Sequence, residues 1–529
     1  MKNIKTLIII VLSAFVLNSC SGFLDSEPLT TLTDGNFYKT RADAELAIVG
    51  CYDGVQAIYN GGIPFPLISE VASDNCFGGT GNADGYGYQL IDEFDLNRSP
   101  SDESQLNGNW VNYYAAIYRM NMLLSKMDQI DWKGDDAYRT NIEAQARFLR
   151  AFCYFDMVRL WEKVPLLTEP KSGNIPQSGA DEIYAAIADD LMFTAQNGSS
   201  SVEPGRVNKY AAKALLARVF LFYTGYYAQS DLVGKVTKTQ ALQGLEDIIG
   251  SGEYGLITYY QDLWPGSATY IDIGGESLGT TYAGKDNNET IFAIKYNITS
   301  NYNGNSDGNQ WMIMLGLRGG TYPPYAKGWG GCTVVPSLYS AFESGDTRRS
   351  ASIIGITEEN IEYDNHDDRD YTGYSVKKYT PIANPDGQDV SVANGASNFM
   401  IGQFQDFVVM RYADVLLMAA ELGSTSAQDY FDQVRERAGL GSIAVNTANI
   451  MNERRFEFAF EGIRYWDLLR QGVNLTANTI ALNTNVLNGG VSASKVISTA
   501  NIIAKKGLQM IPQQQITRSG GVLVQNAGW

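Results

Sequence analysis

Between Trp110 and Leu221 apolar side chains return every three or four residues, which is the repeat of one face of an α-helix. In NIEAQARFLRAFCYFDMVRLW (141–161) the stripe runs through Ile142, Ala146, Leu149, Cys153, Asp156 or Met157, and Leu160, with charged residues opposite. Pro165 lies just beyond, where a residue without an amide proton marks the helix as finished. GADEIYAAIADDLMFTA repeats the pattern with Ile183, Ile187 and Leu191, and RVNKYAAKALLARVFLFYTGYY adds a helix rich in small residues that permit close packing. Thr239 is the expected cap of a further helix, QALQGLEDIIG. Nearer the start, RADAELAIVGCYDGVQAIY predicts a helix whose repeated face is Leu46, Val49, Tyr52 and Val55. Helices of this length joined by short polar turns bury their stripes against one another, so stacked antiparallel pairs are expected. No fixed period of about 34 residues recurs, which excludes a regular repeat array.

The character changes after Gly250. Residues 251–400 are rich in Gly, Asn, Asp and Tyr, with isolated strand candidates such as ETIFAIKYNI and long loops such as NYNGNSDGNQW and LRGGTYPPYAKGWGGC. Excursions this long normally carry function or are disordered, and the aromatic content argues against disorder. Helical patterns resume in FVVMRYADVLLMAAELG, TSAQDYFDQVRERAGL and MNERRFEFAFEGIRYWDLLR. The expected organisation is a mainly α scaffold in two parts, 40–250 and 401–529, with a loop-rich mixed unit (251–400) inserted between them.

The first residues are positively charged and are followed by an apolar run from Leu7 to Leu17. That run falls short of the roughly 20 residues that span a bilayer, so residues 1–19 read as an export signal. Its end, Leu17-Asn18-Ser19-Cys20, resembles a bacterial lipobox, which makes Cys20 the expected lipid-anchor residue and 20–39 a polar spacer. A formal net charge of -18 makes nucleic acid and anionic membrane surfaces poor partners. Cys51, Cys76, Cys153 and Cys332 form no C-x-x-C pair and no recognisable disulfide framework.

Catalytic signatures are sparse. His366 is the single histidine, which excludes a zinc site built on two or three of them, and it reads as an exposed loop residue. Around it, Asp364, Asp367, Asp368 and Asp370 offer enough oxygens to interest calcium, but Arg369 stands where an EF-hand loop counted from Asp364 needs glycine. No cofactor is expected; a solvated acidic turn accounts for the cluster. GESLG (275–279) matches a nucleophile elbow by letter, yet no helix pattern follows it. A pair of carboxylates suited to glycoside hydrolysis stays open, because 58 acidic residues supply many candidates and sequence gives no separations.

Binding chemistry is better represented. The chain has 32 tyrosines and eight tryptophans, and several rings occupy glycine-rich stretches without a core-facing period. Phe77, Tyr86 and Tyr88 lie in one such loop; Trp264, Tyr282, Trp311, Tyr322, Tyr325 and Trp329 lie in the inserted unit, as do Tyr270 and Tyr302. A flat ring can cover the C–H face of a pyranose while nearby amides and carboxylates reach its hydroxyls. Asp74 and Asn75 beside Phe77, with Asn309 and Gln310 beside Trp311, are candidates for that polar rim. The competing account makes the same rings pegs that anchor irregular loops.

Several long motifs then occur in a familiar order. ERRFEFAFEGIRYWDLLR (453–470) resembles the E-R-R-x-E-x-x-x-E-G-x-R-x-x-D-L-x-R helix of the SusD/RagB family, and EAQARFLRAFCYFDMVRLWEKVPLL (143–167) is similar to that family's long Tyr- and Arg-bearing helix. GRVNKYAAKALLARVFL, NNETIF, MRYADVLLMAAE and VRERAGL follow in the family's order, and the ending PQQQITRSGGVLVQNAGW resembles its tail, with Ala527 where proline is frequent. Within the marker helix, spacings of three and four predict that Arg454, Glu457, Glu461 and Arg464 bridge successive turns. The resemblance covers essentially the whole chain after Cys20. It implies a tetratricopeptide-like scaffold carrying a shallow glycan-binding surface, no catalysis, and an outer-membrane, lipid-anchored location facing the cell exterior. It also implies a SusC-like TonB-dependent transporter as partner, with oligosaccharide, polysaccharide or in some members peptide as cargo. By region, the loop near Phe77 and the stretch from Trp311 to Trp329 look like places where family members contact ligand.

Overall fold

The computed structural model describes residues 37–60, 62–268 and 281–529. The export signal, Cys20, Tyr270 and GESLG lie outside the described residues. Among the first helices, in chain order, are α1 (Arg41–Asn60), a short α2 (Gly87–Glu93), α3 (Asn107–Lys126), α4 (Asp136–Trp161), α5 (Ala180–Asn197), α6 (Lys209–Tyr226) and α7 (Lys238–Ser251). The loop-rich stretch holds a single-turn α8 (Val390–Ala393), and after it come α9 (Tyr412–Glu421), α10 (Ala427–Arg437), α11 (Thr447–Glu457) and α12 (Arg464–Leu469). α1 packs on α3, α3 on α4, and α4 to α7 each on the next; α9 then packs on α7 as well as on α10. The late helices therefore extend the stack that the early ones begin, and the fold is the mainly α, tetratricopeptide-like arrangement of helix pairs.

Local chemistry sets the helix ends. The Asp135 carboxylate accepts from the Tyr138 amide at the start of α4, and Asn208 accepts from Ala211 at the start of α6. α7 begins two residues earlier than its apolar pattern suggests: Thr237, not Thr239, caps it, in a reciprocal box with Gln240. α1 also buries a different face from the expected one. Leu46 is 61% and Val49 47% exposed, whereas Ala44, Ile48, Cys51, Val55 and Ile58 are buried. Small residues decide this, because a side chain at Gly54 would come within 3.1 Å of the Ala116 Cβ on α3.

Residues 251–400 share their core with the scaffold. One hydrophobic cluster contains Phe152 and Leu417 from the helices together with Trp264, Phe292, Trp311, Val334 and Tyr379. Among the described residues the strands form four antiparallel pairs: β1 (Cys76–Gly79) with β3 (Gly331–Val334), β2 (Thr290–Ile294) with β6 (Phe407–Arg411), β4 (Ile353–Gly355) with β5 (Tyr374–Val376), and β7 (Leu482–Asn488) with β8 (Val491–Ile497). The β1–β3 and β2–β6 pairs each join chain segments far apart in sequence.

The marker motif is two helices, not one. α11 stops at Glu457, and the chain turns through Phe460 (φ 68°) and Gly462 (φ 73°) before α12. Glycine is required at 462 because a Cβ there would lie 2.9 Å from the Pro66 Cα. The charges consequently pair between elements instead of along one helix. Glu457 accepts from Arg348, Arg411 and Arg437; Glu461 pairs with Lys378 and Arg411; Arg454 reaches Asp414 and Asp467; Arg464 reaches Asp74. This buried network ties α10 and α11 to β6 and to the loop-rich stretch at Arg348 and Lys378.

Candidate glycan-binding site

The β1–β3 ladder, in register Phe77 opposite Thr333 and Gly79 opposite Gly331, brings the loop after β1 beside the loop before β3. The approach is close. Gly79 has φ 70°, a Cβ on it would lie 2.4 Å from the Gly330 carbonyl, and the Thr80 amide donates to that same carbonyl at 2.8 Å. Between the two loops opens a basin of about 700 Å³, lined by Thr80, Asp84, Tyr88, Asp102, Gln105, Met314, Arg318, Lys327, Trp329 and Asp367, with glycine backbone at 85, 87, 319 and 328. Trp329, 37% exposed, and the half-buried Tyr88 and Met314 supply apolar surface.

The polar wall is held from behind. Arg318 donates through Nε to Asp367 (2.8 Å), and its Nη1 reaches both Asp84 (3.4 Å) and the Trp329 carbonyl (3.2 Å). Arg369, 2% exposed, donates to the carbonyls of Asn82, Asp84 and Gly85 and lies 4.0 Å over the Tyr86 ring. Deeper still, Lys495 bonds Asp92 and Asp370, and Gln89 joins Asp370 to the Gly79 carbonyl. Burial pushes the Asp368 carboxyl up to about 6, and burial raises the Tyr88 phenol as well. The loop backbone that shapes the basin is thus fixed by buried ions before any ligand arrives, which lowers the ordering cost of binding.

Of the residues expected from sequence, the structure brings Tyr88 and Trp329 to this basin, with Tyr86 (39% exposed) at its edge under Arg369. Apart from Tyr302, which is 70% exposed and does not line the basin, the others among the described residues serve the fold. Phe77 is 1% exposed within β1, and Lys495 sits over its ring. Asp74 is bound by Arg464 and Arg455, and Asn75 by Glu70 and Arg455, so neither forms a free polar rim. Trp264 and Trp311 both pack on one buried ring, Tyr379, at 5.3 and 5.1 Å. Asn309 spends its side chain on the Gln405 carbonyl and the Met312 amide. Tyr325 is 2% exposed and donates to Glu359; Tyr322 packs on Tyr363; Tyr282 packs half-buried against the Ile382, Val390 and Phe404 cluster. In sparsely paired backbone these rings act as pegs, the competing account above. Arg318, Asp84, Gln105, Met314 and Lys327 carry no aromatic signal and were missed; their sequence trace is the run of glycines at 79, 81, 85, 87, 319, 328 and 330 around them.

The acidic run does not converge. Asp364 bonds the exposed His366, Asp367 bonds Arg318, Asp370 bonds Lys495, and Asp368 is buried behind Gly330. Among the described residues no three Asp, Glu, His or Cys side chains stand together so as to hold a metal ion. No described helix is long and apolar enough to cross a membrane.

The structure is a stack of helix pairs with an open basin, lined in part by Trp329 and Tyr88, on a loop-rich flank. In comparison with known families, residues 360–529 match the SusD family, and residues 50–221 match the family described as starch-binding associating with outer membrane. The chain belongs to the SusD/RagB family. It is 27% identical over 505 residues to SusD-like protein P38 of Formosa agariphila, covering 89% of this chain and 91% of that one. Among solved structures, a laminarin binding SusD-like protein matches with TM-score 0.71 and 27% identity, covering 93% of this chain and all of that one. Surface glycan-binding protein A from Bacteroides thetaiotaomicron, in complex with laminarihexaose, matches with TM-score 0.71, 25% identity and the same coverage.

Proposed function

We propose that this protein captures a glycan chain outside the cell without cleaving it and delivers it to a SusC-like TonB-dependent transporter of the outer membrane, where a lipid on Cys20 tethers it. The observation that carries the reading is the basin itself. Trp329 and Tyr88 offer faces for a sugar ring, Arg318 and Lys327 can only donate hydrogen bonds, Asp84 and Asp367 accept them, and Gln105 does both. That mixture suits a ligand whose rings have apolar faces and hydroxyl edges. The ligands named for the similar structures, laminarin and laminarihexaose, support an oligosaccharide as occupant.

A noncatalytic role is supported by how the carboxylates of the basin are engaged. Asp84 and Asp367 are both tied to Arg318, and Asp102 accepts from Ser99. Such groups act as fixed acceptors. The test is affinity electrophoresis of the purified protein in gels containing laminarin or other glycans, with chromatography of the glycan after prolonged incubation. Retarded migration with an unchanged glycan size profile is expected; shortened products that vanish in Asp84→Asn or Asp367→Asn would replace the reading with a hydrolase.

A further inference from the structure

We propose that the glycan-binding surface does not end at the basin but continues across Lys327 into a second, apolar groove, so that one extended chain is held at two places. This rests on the glycan reading above. The second groove, about 370 Å³, is lined by Thr321, Lys327, Gln388, Asp389, Val392, Ala393 and Phe399. Lys327 lines both depressions, and the loop 317–330 serves both: Arg318, Gly319 and Trp329 face the basin, whereas Thr321 faces the groove.

The groove repeats the basin's chemistry in smaller form. Val392 is 42% exposed on α8, Ala393 is exposed beside it, and Phe399 is half-buried, which gives an apolar floor. Gln388 and Thr321 add groups that both donate and accept hydrogen bonds. Lys327 is exposed and has no ion pair or side-chain hydrogen bond among the described residues, so its ammonium is available at the junction. In this it differs from Arg318, which is occupied by Asp84 and Asp367.

The two depressions are also fixed relative to one another. The Ala326 amide donates to the Pro381 carbonyl (2.9 Å) and the Ala383 amide to the Pro324 carbonyl (2.8 Å), which stitches the loop to the segment leading into α8. Asp389 caps α8 through the Val392 amide, and Gln403 bonds both Asp389 and the Phe399 carbonyl at 2.8 Å. Two weak patches on one rigid frame reinforce each other only for a ligand long enough to touch both, because the second contact is then made at high effective concentration. A single sugar or a disaccharide seated on Trp329 gains nothing from the groove. The surface therefore selects chain length, and its cargo class is a linear oligosaccharide or the interior of a polymer.

Calorimetric titration of laminaribiose, laminarihexaose and laminarin into wild-type protein, Phe399→Ala and Val392→Asp tests this, with melting curves to establish that each variant is folded. Both substitutions alter side chains that are at least partly solvent-exposed. The expected result is hexaose binding at least about tenfold tighter than biose in the wild type, with most of that gain lost in both variants and biose affinity unchanged. Equal affinity for biose and hexaose in the wild type, or a gain that survives both substitutions, would overturn the second groove while leaving the basin standing. If a different glycan retards the protein in the gel assay above, the same comparison is made with short and long chains of that glycan; wild-type protein retarded by no glycan would overturn the glycan reading and this inference with it.

Discussion

Replacing Glu457 with glutamine keeps the shape of a fully buried side chain and removes one negative charge from the centre of the ion network. Its carboxylate accepts from Arg348, Arg411 and Arg437, cations carried by three different elements. The buried neighbourhood balances as it stands: Arg348, Lys378, Arg411, Arg435 and Arg437 meet Glu289, Asp346, Glu453, Glu457 and Glu461. Glu457→Gln leaves one buried positive charge unmatched. Three charge-assisted hydrogen bonds at about 1.5–3 kcal/mol each set an upper limit, but they share partners and do not add. The measured range for breaking one member out of a buried pair, about 3–5 kcal/mol, is the expected loss. Urea unfolding followed by tryptophan fluorescence reads it as a lower midpoint. Glu343→Gln is the control: Glu343 also binds Arg435 but is 49% exposed, so its loss should stay under about 1 kcal/mol. A Glu457→Gln midpoint as close to wild type as that of the control would refute the reasoning that this network holds the loop-rich stretch against the helices.

Stability should peak at mildly acidic pH. Burial raises Glu70 to about 7 and Asp368 to about 6; a carboxyl whose folded value is raised supports folding fully below its ordinary value, 4.5 and 3.8 here, and that support is lost progressively as pH climbs from there through the folded value. Burial would also raise Asp74, Asp414, Glu457 and Asp467, but the arginines against them outweigh it and hold all four below their ordinary values of 3.8 to 4.5, so their support is lost as pH falls below about 4. Melting temperature against pH should therefore be highest near pH 4 to 5, where both sets of carboxyls still contribute, and a maximum above pH 8 would contradict this. Cys51, Cys76, Cys153 and Cys332 are all buried, with burial pushing the Cys51 thiol up to about 12, so they should resist a thiol reagent in native buffer and react after unfolding in guanidinium; fast native reaction would place them wrongly.

The helical scaffold was legible because its signal is local. Ile142, Leu149 and Leu160 repeat at helical spacing and all three are buried in α4. Errors arose where a second element decided the outcome. Leu46, Val49 and Tyr52 form as good a stripe as Ile48, Cys51 and Ile58, and only the close approach of α3 at Gly54 selects between them. The same holds for the site. An aromatic ring in a glycine-rich loop signals either a peg or a ligand platform, and the choice depends on strand register: Phe77 and Trp329 lie near the paired strands β1 and β3, yet one ring is sealed inside and the other opens outward. Arg318 and Asp84 were invisible because they are 234 residues apart and become neighbours only through that ladder.

Trp329 offers the most direct measurement. Its ring is partly exposed and lines the basin, so Trp329→Ala should leave the melting temperature close to wild type while removing the apolar face on which a sugar ring would rest. Calorimetric titration of laminarihexaose should then show binding weakened at least about tenfold, equivalent to roughly 1.4 kcal/mol of lost stacking. A folded Trp329→Ala protein that binds laminarihexaose as tightly as the wild type would contradict the account.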